Sequence, residues 1–195
     1  KKNFVFIFLS ILFLFKPNLS LSIEPDVFIQ STVNRAAQTL SSNLTKNERI
    51  EQLQNIALET VDIEGISLYS LGQYRKTISD EQLSRYKDVF KKYFLISFSS
   101  RLAEYTNPEI DVYAKKKIND KYTIVSSILI GTEKRPEVKI DWRVYTNDPK
   151  NLLIRDLITE GLSLARTQKE EFSSIINSNN NDIESLIESL SNFSK

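Results

Sequence analysis

The chain has 195 residues, of which 26 are basic and 25 acidic, for a formal net charge of +1. That near balance argues against nucleic acid as a partner. It contains no His and no Cys, so the commonest general base, the thiol nucleophile, disulfides and most zinc sites are excluded; the expectation is a non-enzyme with neither cofactor nor metal.

Residues 1–22 read as a removable export signal. Lys1 and Lys2 give a positive start, Phe4 to Phe15 form an apolar run broken only by Ser10, and Ser20 and Ser22 sit where a signal peptidase needs small residues. As a helix the run reaches about 18 Å, short of a hydrocarbon core of about 30 Å. No Cys follows it, so no lipoprotein anchor is expected. Removing the segment leaves 23 basic against 25 acidic residues and a single exported domain over 23–195.

Pro25 precedes a helix over Asp26 to about Ser42, with Val27, Phe28, Val33, Ala36, Ala37 and Leu40 at helical spacing. Thr45-Lys46-Asn47-Glu48 is a capping box that opens a second helix carrying Ile50, Leu53, Ile56 and Ala57. After Gly65, residues Ile66, Leu68, Tyr69, Leu71 and Tyr74 predict a third. Ser79-Asp80-Glu81-Gln82 is a second capping box and begins the longest helix, running to about Tyr105 before Asn107-Pro108. Its Tyr86, Phe90, Tyr93, Phe94, Phe98 and Leu102 make an aromatic stripe.

Alternating residues then predict four strands in an antiparallel meander: Ile110 to Lys115, Tyr122 to Ile130, Val138 to Val144 and Leu152 to Ile158. On the second, Tyr122, Ile124, Ser126, Ile128 and Ile130 share a face. Gly161 is expected to turn the chain into another helix, with Leu162 in its first turn and Phe172 on its buried side. A last amphipathic helix carries Ile183, Leu186, Ile187, Leu190 and Phe193. The fold class is α+β: an antiparallel sheet of about four strands against several helices.

Gly161-Leu162-Ser163-Leu164-Ala165 looks like a nucleophile elbow, but its second glycine is replaced and no His is present to activate Ser163. Asp156 and Glu160 make a weak candidate carboxylate pair with nothing else polar expected to converge on them. Lys91-Lys92 and Lys115-Lys116-Lys117 are solvated faces or contacts for anionic groups. The aromatic stripe is either ordinary core or one wall of an apolar pocket with phenol tips near its mouth, and periodicity does not separate the two.

Leu71-Gly72-Gln73-Tyr74-Arg75, the capped helix with Phe90 and Tyr93, and Ile154-Arg155-Asp156-Leu157-Ile158-Thr159-Glu160-Gly161-Leu162-Ser163-Leu164 followed by Phe172 appear in that order. Together they resemble the MlaC-type periplasmic phospholipid carriers, the toluene-tolerance auxiliary family, from about Pro25 to Phe193. Two departures stand out: Arg75 and the Leu152-Leu153 pair occupy positions where the family commonly has Trp. The resemblance implies a monomeric carrier passing phospholipid between an inner-membrane ABC transporter with an MCE-domain subunit and an outer-membrane lipoprotein complex. It leaves open another lipid cargo such as a hopanoid; a secreted, non-catalytic interaction protein is the other class. The expected lipid pocket lies between the long helix and the sheet, lined by Tyr69, Tyr93, Phe94, Phe98, Val138, Ile140, Trp142, Ile158 and Leu162.

Overall fold

Local signals set most element boundaries. In the computed structural model, which describes residues 23–133 and 135–193, α1 spans Pro25–Ser41 with Pro25 at its first position, and α2 spans Lys46–Thr60. The capping box at α2 is reciprocal: Glu48 N–H donates to Thr45 Oγ1 at 3.3 Å, and Thr45 N–H to Glu48 Oε2 at 2.8 Å. α3 covers Ile63–Ser70 and is capped by Asp62, which accepts from Gly65 N–H at 2.8 Å. The helix predicted through Tyr74 stops short because Gly72 turns to φ +57°, and a tighter 3-10 segment, Gly72–Lys76, follows. α4 spans Asp80–Leu102 behind its own capping box at Ser79 and Gln82. The expected export signal lies outside the described residues. Among those residues no helix is long and apolar enough to cross a membrane.

The sheet has five antiparallel strands in sequence order: β1 (Ile110–Asn119), β2 (Tyr122–Leu129), β3 (Val138–Tyr145), β4 (Leu153–Thr159) and β5 (Leu162–Ser163). The fifth strand corrects the expectation of four. Glu160 and Gly161 both take positive φ, 49° and 81°, and pair Thr159 with Leu162 across a two-residue hairpin. Two consecutive positive φ values match strand twist and return the chain along β4. Leu162 is therefore in a strand, not in a first helical turn. The helix begins two residues later as α5 (Leu164–Ser178), capped by Ser163, and α6 (Ile183–Phe193) closes the chain.

Register decides which face of the sheet is inner. Val125 lies opposite Trp142, Ser127 opposite Ile140 and Thr123 opposite Val144, and all six are buried. The expected grouping of Tyr122, Ile124, Ser126 and Ile128 on one face holds, but theirs is the half-exposed outer face. Trp142 places its indole N–H 2.8 Å from Ser127 Oγ, so the inner polar atoms satisfy each other. α1 covers this face through Ile29 and Val33. From α1, Gln30 also bonds the β1 edge as a neighbouring strand would: its amide donates to Ile110 O at 3.1 Å and accepts from Val112 N–H at 2.9 Å.

Three apolar cores result. One joins α3, α4, α5 and α6 around Tyr86, Phe90, Phe172 and Leu186; a second joins the inner sheet face to α1; a third, smaller one holds Leu40, Leu53 and Ala103. Val61 packs against both of the first two. Beside it, Asp62 N–H donates to Ile154 O at 2.9 Å and the Asp62 carboxylate takes Arg155 Nε at 2.5 Å. The Arg155 guanidinium also donates to Tyr122 Oη at 2.8 Å and lies 3.8 Å from the centre of the Tyr145 ring. This joint fastens the helical layer to the sheet.

Candidate functional site

The aromatic stripe of α4 divides along its length. Its first half is closed core: Phe90 and Tyr86 meet Phe172 edge-on at 6.0 and 6.4 Å. Tyr86 donates to Ser67 O at 3.0 Å, and burial pushes its phenol well above the ordinary range. Further along, residues 93–98 are all half-buried, a full turn and more with no fully covered side. Tyr93 contacts Phe193 at 4.9 Å and its hydroxyl donates to Gln168 Oε1 at 3.0 Å. Phe94 packs at the edge of the helical core, and Phe98 stacks on it at 5.7 Å.

The expected sheet residues also divide. Ile140 and Trp142 are buried on the inner face, and Val138 lies half-buried beside them. Ile158 does not join them: it pairs with Asp141 on the outer face, and Leu157 takes the inward place opposite Trp142. The cause is a bulge between Arg143 and Val144, where Arg155 is the extra residue on β4. One added residue exchanges the two faces of the strand from that point on. Unbroken alternation from Ile154 points Ile158 inward; the bulge turns Leu157 and Thr159 inward instead and sends Asp156 out.

Leu162 follows Ser127, Ile140 and Thr159 in the same cross-strand row, yet stands 68% exposed. The inner face is therefore covered at β2 and β3 and progressively open through Leu157 and Thr159 to β5. Tyr69 is not on this face. It is 43% exposed on α3, with the Lys169 ammonium 5.6 Å from its ring centre. Strand alternation alone places neither Leu157 nor Thr159 on the inner face, because the bulge that turns them inward is specific to this fold.

The polar corner near Ser163 is built as a helix anchor. Asp156 is buried and accepts Ser163 Oγ–H at 2.6 Å and Ala165 N–H at 3.0 Å, with Arg143 Nη1 at 3.9 Å. Ser163 Oγ in turn accepts Arg166 N–H at 3.0 Å. Polar groups thus converge on Asp156, contrary to expectation, and they tie the start of α5 to β4. Glu160 turns away to accept Lys139 N–H at 3.1 Å. Of the lysine run, Lys115 pairs with Glu24 and Asp26, both at 2.8 Å, and Lys117 with Asp120 at 2.9 Å.

Two surface concavities lie away from α4 and the sheet. One of about 480 Å³ follows α5 past Glu171 and Ile175; one of about 530 Å³ lies between α1 and α2 beside Arg35 and Gln52. Neither is lined by an expected pocket residue. What the fold offers instead are two partly exposed apolar stretches, the α4 segment 93–98 and the inner-face positions Leu157 and Leu162 of β4 and β5.

The family model described as MlaC protein matches residues 30–192. The toluene tolerance protein ttg2D of Pseudomonas putida is 23% identical over 170 residues, covering 84% of this chain and 78% of that protein. A solved structure of the phospholipid-binding protein from Ralstonia solanacearum, in complex with a phospholipid, is similar at a TM-score of 0.74 and 17% identity. That likeness covers 88% of this chain and 97% of that one.

Proposed function

This chain belongs to the MlaC family, and we propose that it is a periplasmic, non-catalytic carrier that encloses the acyl chains of a phospholipid between α4 and the inner sheet face. The observation that carries the reading is the unfinished inner face: half-buried Leu157 and Thr159 and exposed Leu162 continue the buried Ile140–Trp142 surface outward. The half-buried aromatic turn of α4 is the second half of the same requirement. The phospholipid in the Ralstonia solanacearum relative supports this cargo class.

Each methylene exposed to water costs about 0.8 kcal/mol, so acyl chains cannot cross an aqueous gap uncovered. Phe94, Phe98, Val138, Ile140, Trp142 and Leu157 supply the apolar lining, and Tyr93 with Leu162 its rim. Ile158 and Tyr69 fall outside the lining. A bilayer already buries the same chains, so loading is close to neutral and the direction of transfer belongs to partners. Those partners are an inner-membrane ABC transporter complex with an MCE-domain subunit and an outer-membrane lipoprotein complex.

Mass spectrometry of the protein recovered from its native cells tests the reading. Stoichiometric phospholipid is expected, lowered by Val138→Gln or Leu157→Gln in protein that still folds. Empty wild-type protein, or a hopanoid in place of phospholipid, overturns the cargo assignment. Lipid transfer between vesicles at equal rates with and without the membrane complexes overturns the role of the partners.

A further inference from the structure

The far end of α4 gathers positive charge around one carboxylate. Glu104, in the turn just past α4, takes Lys46 Nζ at 2.5 Å, and Arg135 Nη2 donates to its backbone O at 3.4 Å. Hydrogen bonding from Lys46, with the fields of Lys46, Arg49 and Arg135, holds the Glu104 carboxyl below its ordinary range. Three cations thus bear on one anionic group. Glu48, the acid in the first turn of α2, is already engaged by Thr45 N–H at 2.8 Å and Thr45 Oγ1–H at 2.7 Å.

Two of these cations are built into the fold. Arg135 lies with its guanidinium carbon 4.5 Å from the centre of the Tyr105 ring. It closes the tight loop between β2 and β3, where Thr132 N–H donates to Arg135 O at 2.8 Å and Arg135 N–H to Thr132 O at 3.2 Å. Arg49 is half-buried, and its Nε is enclosed without an acceptor, the one side-chain nitrogen or oxygen so placed among the described residues. A donor held in that way costs stability unless a group from outside the fold accepts from it.

The cluster stands where both parts of the proposed lining end. Phe94, Phe98 and Tyr105 follow at intervals of four and seven along one side of α4 and the turn that continues it, in which Tyr105 N–H donates to Leu102 O at 3.0 Å. Val138 opens β3 only three residues after Arg135, so no more than about 11 Å of backbone separates them. The loop has little slack, since a Cβ on Gly131 would lie 2.8 Å from Glu137 N.

We propose that Lys46, Arg49 and Arg135 form an anion seat for the phosphate of the carried phospholipid, whose acyl chains run from it along Phe98 and Val138. A planar guanidinium donates to two phosphate oxygens at once, and Lys46 adds a point charge beside it. Glu104 competes for the same cations; its side chain is 63% exposed and swings into water when phosphate takes its place. The seat rests on the carrier reading, because a lipid presents its phosphate here only if its chains lie between α4 and the sheet.

The test is calorimetric titration of the full chain, stripped of bound lipid, with dihexanoyl phosphatidylglycerol, with dihexanoylglycerol, which has the same chains and no phosphate, and with inorganic phosphate. The phospholipid should bind about tenfold or more tightly than dihexanoylglycerol, by a margin that shrinks with added salt. R135Q should weaken the phospholipid about tenfold and leave dihexanoylglycerol unchanged, with R135K in between. E104Q should tighten the phospholipid several-fold by removing the competing carboxylate, an effect opposite to that of a purely structural ion pair. A thermal melt identifies any variant that fails to fold, and K46Q then replaces R135Q. Equal affinity for the two lipids, or an E104Q that weakens the phospholipid as R135Q does, overturns the seat and leaves the carrier reading in place. Binding of neither lipid removes the carrier reading; inorganic phosphate that still binds and is lost in R135Q then keeps an anion site for free phosphate, and no phosphate binding removes both.

Discussion

The helical core and the sheet core are built from the same apolar fraction of the chain but finish differently. Around Phe172 the helices α3 to α6 close on themselves, with Tyr86, Phe90, Phe172, Ile176 and Leu186 all nearly inaccessible. The sheet core is packed by α1, which lies against β1 and β2, and is left open toward β5. Interdigitated aromatic rings fill a volume completely, whereas one helix is too narrow to cover five strands. Closed packing therefore concentrates in the first region and exposed apolar surface in the second.

The contrast is broken most directly at Phe172. Phe172→Ala should cost about 3–5 kcal/mol, because three rings lose their partner and a cavity remains. A melting curve checks it, and the bound lipid per folded molecule should stay the same. A proportional loss of lipid would mean that the helical core also lines the site.

The joint between the regions gives the next largest effect. A Cβ at Gly65 would collide with the Asp62 carboxylate, which caps α3 and holds Arg155. Gly65→Ala should destabilise by about 1–2 kcal/mol through the lost cap and loosened ion pair. Chemical denaturation would measure it; an unchanged midpoint would show that the joint yields without cost.

At the open end, Leu162→Glu should change stability by less than about 0.5 kcal/mol, since the side chain is already mostly in water. Bound lipid should nonetheless fall, because a carboxylate at the rim meets acyl chains when the carrier is loaded. A collapsed melting temperature with lipid retained would instead make Leu162 part of a closed core.

Acid should act weakly and on both regions. Hydrogen bonds from Arg85, then Gln82, hold Glu184 below its usual range beside the helical core, and one from Lys115 does the same for Asp26 beside the sheet. A depressed carboxylate contributes stability above its unfolded value and loses it as pH falls through the lower folded value. The melting temperature should therefore drop below about pH 4, and Glu184→Gln and Asp26→Asn should each make the drop shallower. No flattening in either variant would show these surface pairs to be energetically silent.

Much of the architecture was written locally. The capping boxes at Thr45 and Ser79 place two helix starts because the hydroxyls, the Glu48 carboxylate and the Gln82 amide oxygen accept from backbone N–H groups three residues away. The alternation of Val138, Ile140, Trp142 and Val144 marks the inner face of β3 because a strand repeats every two residues. Phe90, Tyr93 and Phe94 lie where helical spacing put them. What the sequence could not decide was the course of the chain after Ile154. The Arg155 bulge is stabilised by groups distant in sequence, Asp62, Tyr122 and Tyr145, and it puts Ile158 on the outer face of the sheet and Leu157 on the inner one. The Glu160-Gly161 hairpin likewise depends on β4 being free to pair, which makes Leu162 an exposed strand residue rather than a helical one. Patterns confined to a few neighbouring residues are set by backbone geometry and can be read from sequence; a face chosen by partners that arrive from elsewhere in the chain exists only once the chain has folded.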